Sequence, residues 1–166
     1  MSGRLHCLPP IMDERARVLI LGSFPSEASL AAQHYYAHKQ NQFWRIMASL
    51  LGQPLTEMDY PAKQLALRNA GIAVWDVFAS CERQGSLDSA IRQGVPNDFA
   101  ALKQRAPALV RVCFNGQAAG KFNLPLAQLG LETLVLPSTS PANATWTFER
   151  KLAAWRAGLT DALIAQ

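Results

Sequence analysis

The sequence predicts an α/β fold: three layers, α/β/α, around a four-stranded, mostly parallel sheet. Short runs rich in β-branched residues and leucine alternate with segments whose apolar residues recur at helical spacing. The strand-like runs are apolar at successive positions, as in a parallel sheet covered on both faces. Of the 166 residues, 49% are hydrophobic and 17% are charged. That balance supports a buried core and excludes a disordered chain.

The elements follow in order. Residues 1–14 carry no clear periodicity and are expected to form a loose arm on a single domain spanning 1–166. Arg17–Leu21 reads as a buried strand ended by Gly22. From Asn41, the residues Phe43, Ile46, Met47, Leu50 and Leu51 mark a helix that Gly52 stops. A second helix spans Pro61–Asn69, and Gly71 leads into a strand at Ile72–Trp75. A short helix at Phe99–Arg105 stops before Pro107. Strands are expected at Leu109–Phe114 and Glu132–Leu136, and a last helix at 145–164 presents Phe148, Leu152, Trp155, Leu159 and Leu163 on one face.

Charge and cysteine content narrow the classes further. Sixteen Lys and Arg against twelve Asp and Glu leave a net charge of +4, which permits an anionic partner such as nucleic acid. Cys7, Cys81 and Cys113 are odd in number, far apart and without a CxxC pair. A disulfide framework or a cysteine-bound metal is not expected. No apolar run approaches the ~20 residues of a membrane span. The opening residues mix Arg4, His6 and two prolines rather than forming a leader, so a cytoplasmic address is expected.

Ligands of open parallel sheets bind beyond the carboxyl ends of the strands. Four segments fall there. Gly22-Ser23-Phe24-Pro25-Ser26 follows the first strand. Its glycine permits close backbone approach and its proline fixes the exit, in a substrate loop or in an ordinary strand-to-helix turn. Asp76–Cys81 follows the second strand, and within it Asp76 is a carboxylate among apolar neighbours, suited to a general base, a cation stabiliser, a helix cap or an ion pair. Asn115-Gly116 follows the third strand. An Asn there can bond a base edge through its donor and acceptor, or simply form a turn. Ser138-Thr139-Ser140-Pro141-Ala142-Asn143 follows the fourth, with hydroxyls suited to phosphate contacts or to a plain connection before a helix. To these the segment from Gln33 to Trp44 adds clustered aromatics, histidines and amides, with Tyr36 able to stack on a base and Asn41 placed as a water-orienting amide or an N-cap. His34 and His38 lack a third ligand, so no metal is expected.

In this order, Gly22–Ser26, Tyr36-Ala37-His38 leading to Asn41-Gln42-Phe43-Trp44, Phe114-Asn115-Gly116 and Pro137–Pro141 resemble the motifs of the uracil-DNA glycosylase superfamily. The resemblance spans nearly the whole chain and looks closest to the hypoxanthine-DNA glycosylase (DNA-deoxyinosine glycosylase) branch, near the mismatch-specific uracil/thymine enzymes. It implies a monofunctional glycosylase that flips a deaminated base, hypoxanthine or uracil, from double-stranded DNA and hydrolyses its N-glycosidic bond in base excision repair. It also implies a cofactor-free, metal-free monomer, associated with the nucleoid when acting on DNA.

Carried over residue by residue, Gly22, Ser23, Pro25 and Ser26 form the active-site loop. Phe24, Tyr36 and Asn115 bind the base, and Asn41 is the catalytic amide. Ser138, Thr139, Ser140, Pro141, Ala142 and Asn143 press the DNA, with Ala142 at the tip. Mismatch-specific relatives carry a water-orienting Asn where this chain has Phe24, and Asn41 takes over that role. The hypoxanthine branch usually writes a glycine at Ser26, and the histidine that classical uracil glycosylases use in the last motif is missing here, with Thr139 in that region. No lysine other than Lys39 lies in these motifs, so a Schiff-base step is not expected. The competing reading is a non-catalytic nucleotide- or DNA-binding α/β module or a small-molecule hydrolase, although the G-x-S-x-G elbow of a serine hydrolase is absent.

Overall fold

Seven strands and seven α-helices make up residues 3–165, which the computed structural model describes. In chain order they are β1 (Leu5–His6), β2 (Val18–Gly22), α1 (Glu27–Ala32), α2 (Phe43–Leu51), α3 (Tyr60–Ala70), β3 (Ile72–Asp76), β4 (Phe78–Glu82), β5 (Arg92–Pro96), α4 (Leu102–Arg105), β6 (Arg111–Asn115), α5 (Gln117–Gly120), α6 (Asn123–Ala127), β7 (Glu132–Leu136) and α7 (Phe148–Leu159).

The main sheet has the order β3-β2-β6-β7 with every pair parallel. Successive residues of β2 are all buried, but on opposite faces. Val18 and Ile20 join a core with Phe43, Ile46 and Met47 of α2, Leu67 of α3 and Trp155 of α7. Leu19 and Leu21 join a second core with Leu102 of α4, Ala119 of α5 and Leu126 of α6. The period of two along a strand thus produces the three expected layers. Caps agree with the sequence signals. Asp59 caps α3 by accepting from the Ala62 amide at 2.9 Å, and Gly71 ends that helix in the left-handed region at φ 82°.

The four expected strands are present within about two residues of their expected bounds. The helix expected from Asn41 begins at Phe43, the one from Phe99 at Leu102, and the last at Phe148. The N-terminal arm is not loose. Leu5 pairs opposite Cys81 of β4, Ile11 bridges Val74 of β3, and Leu8 and Ile11 are buried. Met1 and Ser2 lie outside the described residues. Strand β4 pairs antiparallel with β1 and with β5 in a small second sheet, so most of the Asp76–Cys81 segment expected on the rim is strand instead.

Trp155 joins the core to the site. It is fully buried, meets Phe43 edge-to-face at 6.1 Å, and donates its indole N–H to the Pro137 carbonyl at 2.9 Å. Truncation to alanine would open a cavity and free the loop after β7. We expect Trp155→Ala to lower stability by about 3–5 kcal/mol in urea titration.

Candidate active site

Parallel strands bring their carboxyl ends to one edge, so Gly22, Asp76, Asn115 and Leu136 end on the same rim. Above it lies a cavity of about 830 Å³. Every site residue expected from the sequence lines that cavity, and Asp76 lies on its wall. Its size is within the range of small-ligand pockets.

Gly22 makes room for its neighbours. A Cβ there would stand 2.7 Å from Asp76 Oδ1 and 3.2 Å from the Tyr36 hydroxyl, so only glycine lets the two side chains converge. Its carbonyl accepts from the Val77 amide at 2.8 Å, and that of Ser23 accepts from Phe78 at 3.1 Å. The loop is thereby tied to the start of β4. Ser23 Oγ also bonds Asp88 Oδ1, from the connection between β4 and β5. Phe24 is buried with the Arg83 guanidinium 5.3 Å from its ring centre. Ser26 caps α1, accepting from Ser29 N at 3.1 Å. The side chain there thus serves the helix.

Tyr36 sits on a backbone pinned from several sides. The Tyr35 amide donates to the Tyr60 hydroxyl, the Trp44 indole donates to the Tyr35 carbonyl, and the Ala37 amide donates to Ser29 Oγ. These bonds hold Tyr36 at φ 55°, a left-handed conformation costing of order 1–3 kcal/mol for a residue with a side chain. One face of its ring is already stacked on Phe43, with centroids 4.1 Å apart. Phe43 occupies that one face, and the Tyr36 hydroxyl lies with Asp76 Oδ1 beside Gly22. The hydroxyl oxygen is buried and, among the described residues, has no hydrogen bond of ordinary geometry, the Asn115 amide being the polar group that acts on it. Burial and the Asp76 charge push the phenol above its ordinary range, while the Asn115 amide pulls the other way.

Asn41 combines both sequence readings. Its Oδ1 accepts from the Phe43 amide at 2.9 Å, which fixes the amide plane at the start of α2 while the side chain still lines the cavity. Asn115 departs from expectation. Its Nδ2 donates to the Thr139 hydroxyl at 3.0 Å and its Oδ1 accepts from the Thr139 amide at 3.0 Å. The donor–acceptor pair expected to meet a base edge is engaged by the protein's own loop. Thr139, expected to face DNA, is fully buried as the other half of that clamp. The remainder of the loop is stiffened by short-range bonds from Ser140 N to Ser138 Oγ, from Ala142 N to Ser140 Oγ, and from Asn143 Nδ2 to the Ser138 carbonyl. Ala142 is exposed, as a tip residue must be.

Asp76 is the most perturbed group on the wall. It is 3% exposed, and its Oδ2 has no hydrogen-bond partner. Burial pushes its carboxyl up to about 7, the Asp88 carboxylate pushes the same way, and the Arg83 guanidinium opposes them. Asp88, Arg83 and Leu87 come from the stretch between β4 and β5, where no spacing signal singled them out. Leu87 lines the cavity while 61% exposed.

The family model described as the uracil DNA glycosylase superfamily matches residues 9–158. A curated hypoxanthine DNA glycosylase of Methanosarcina acetivorans is 42% identical over 143 residues, covering 86% of this chain and 90% of the relative. Its counterpart from Methanosarcina barkeri is 39% identical over the same shares. A solution NMR structure of a proposed uracil DNA glycosylase from Methanosarcina acetivorans superposes with a TM-score of 0.87 at 39% identity, covering 96% of this chain and 99% of that one.

Linkage gives a test of the Asp76 environment. Its folded pKa of about 7 lies above the ordinary carboxylate value near 4, so the folded state holds the proton more tightly. Its contribution to stability is full below pH ~4 and declines as pH rises toward 7. Asp76→Asn should therefore raise the melting temperature at pH 8 by roughly 5 °C or more. The gain should shrink toward pH 4, as measured by calorimetry across that range.

Proposed function

This chain belongs to the uracil DNA glycosylase superfamily, and we propose hypoxanthine in double-stranded DNA as its principal substrate. It is a DNA glycosylase for deaminated bases. The observation that carries the reading is the convergence of all four rim segments and Asn41 on one cavity large enough for a flipped base. An enzyme that acts on a base must take it out of the stack, and loosely paired bases are extruded at least cost.

In the proposed reaction the C1′–N bond breaks with its electron pair passing to the base, and the sugar becomes cationic. A water oxygen forms the new bond to C1′, and a proton from that water neutralises the departing base. A cationic sugar needs only a weak nucleophile, so a fixed amide suffices to place the water. The Phe43 amide holds the Asn41 plane. The second lone pair of Oδ1 and the Nδ2 hydrogens are then the groups that orient the water. Phe24 packs against the base within the pocket. Asn115 acts one step back by clamping Thr139, whose carbonyl in turn accepts from the Gln42 amide at 3.0 Å beside Asn41. With no lysine on the cavity wall, no imine forms and the strand is left uncut. The Ser138 and Ser140 hydroxyls, which accept from loop amides and still have a proton to donate, face the phosphates.

Three outcomes follow from these roles. Duplexes carrying one hypoxanthine, uracil, xanthine or thymine, treated with enzyme and then alkali, should break fastest at hypoxanthine. Asn41→Ala should lower single-turnover excision by ~10²-fold or more, far beyond the effect of losing its bond to the Phe43 amide, while duplex binding persists. A loss that merely follows the melting temperature would reduce Asn41 to a helix cap. Asn115→Ala should slow excision of every base by a similar factor, because it disturbs the clamp. A changed ranking among bases would return Asn115 to direct base reading.

A small tip residue fills little of the gap left by a flipped base. Excision should accordingly favour mispaired over well-paired duplexes, and Ala142→Leu should help most on the well-paired ones. An unchanged ratio of the two rates would remove the loop from the wedge role.

A further inference from the structure

Among the described residues, the buried side-chain polar atoms without a hydrogen bond of ordinary geometry include Tyr36 Oη and Asp76 Oδ2, and both belong to residues on the cavity wall. A buried oxygen left unpaired costs stability, so such atoms tend to be retained where a ligand completes them. The two groups converge. The point where a Gly22 Cβ would stand lies 2.7 Å from Asp76 Oδ1 and 3.2 Å from Tyr36 Oη. Asp76 ends β3 at the register position opposite Gly22, so its carboxyl is fixed by the sheet itself rather than by a mobile loop.

The surroundings decide the form of the carboxyl. No ion pair to Asp76 is present among the described residues. Arg83, the nearby cation, spends Nη2 on the Pro25 carbonyl at 2.7 Å and Nε on the Gly85 carbonyl at 2.8 Å. The charged and titratable groups that act on Asp76, or on which it acts, come from every packed element. They are Asp88 and Arg83 from the β4–β5 region, Tyr35 and Tyr36 before α2, Tyr60 on α3 and Cys7 beside β1. Arg83 is the sole cation in that set, and the Asp88 carboxylate opposes it. A buried carboxyl so placed favours its neutral form.

Deaminated bases share one edge: a ring N–H beside a carbonyl, N1–H and O6 in hypoxanthine, N3–H and O4 in uracil. A neutral carboxylic acid matches that edge, accepting from the N–H and donating its O–H to the carbonyl. A phenol hydroxyl can fill the carbonyl's second lone pair. We propose that Asp76, as the neutral acid, and Tyr36, through its hydroxyl, together bind the N–H/C=O edge of the flipped base. Negative charge grows on the base as the C1′–N bond breaks. Both donors strengthen as it does, with the Asp76 proton remaining on its own oxygen throughout. An ionised Asp76 would face the same charge and oppose bond cleavage.

This inference rests on the glycosylase reading, and one experiment separates the two. Single-turnover excision from a hypoxanthine-containing duplex would be measured between pH 5.5 and 8 for the wild type, Asp76→Asn and Tyr36→Phe. Absence of hypoxanthine release by the wild type at every pH would defeat the glycosylase reading itself. If release occurs, the wild-type rate should fall about tenfold between pH 6 and pH 8, as expected for an essential acid titrating near 7. Asn keeps one acceptor and one donor without titrating, so the fall for Asp76→Asn should be less than twofold. Tyr36→Phe should lower the rate about tenfold at pH 6 while keeping the wild-type pH dependence. A wild-type rate that rises with pH, or an Asp76→Asn profile parallel to the wild type, would overturn the role of the neutral acid. A Tyr36→Phe rate equal to the wild type would overturn the role of the hydroxyl.

Discussion

The clamp between Asn115 and Thr139 is the interaction on which the site depends. It joins the end of β6 to the loop that follows β7 through two hydrogen bonds of 3.0 Å. The Thr139 carbonyl then accepts from Gln42, which adjoins Asn41. Segments far apart in the chain are thereby held in one network: a strand end, a connection and the entrance to α2. Thr139 is fully buried and Asn115 half-buried, so each partner is costly to leave unpaired. Its effect is to fix the positions of the cavity's amide and hydroxyl groups before any substrate arrives.

The sheet and its rim could be read from the sequence because their signals are local. Val18–Leu21 declares a buried strand by composition alone, and the rule for parallel sheets then places Gly22, Asp76, Asn115 and the Ser138–Asn143 loop together. The β4–β5 hairpin could not be read this way. Its strands face both solvent and protein without clean alternation, and its pairing with β1 depends on residues more than seventy positions apart. The N-terminal arm was misread for the same reason. Leu8 and Ile11 are buried by tertiary contacts that no periodicity announces.

Individual roles were less accessible than positions. An Asn at a strand end offers the same donor and acceptor to a base and to a neighbouring loop, and only the fold shows that Thr139 takes them. Tyr36 lines the site, and with one face of its ring on Phe43 it offers the cavity a hydroxyl as well as an aromatic ring. Asp76 had several possible uses in sequence. Its burial and the absence of a paired cation remove the ion-pair reading. The chain's net positive charge of +4 suits an anionic partner, while the cavity wall carries acidic groups.

A DNA glycosylase for deaminated bases cuts the bond between base and sugar and leaves the phosphodiester chain whole. The most direct test is mass spectrometry of the products from a duplex containing a single deoxyinosine. The account predicts free hypoxanthine in solution and a full-length strand carrying one abasic site, which breaks only on later treatment with alkali. Release of deoxyinosine as a nucleoside or nucleotide, or a strand cut before alkali without free base, would contradict it.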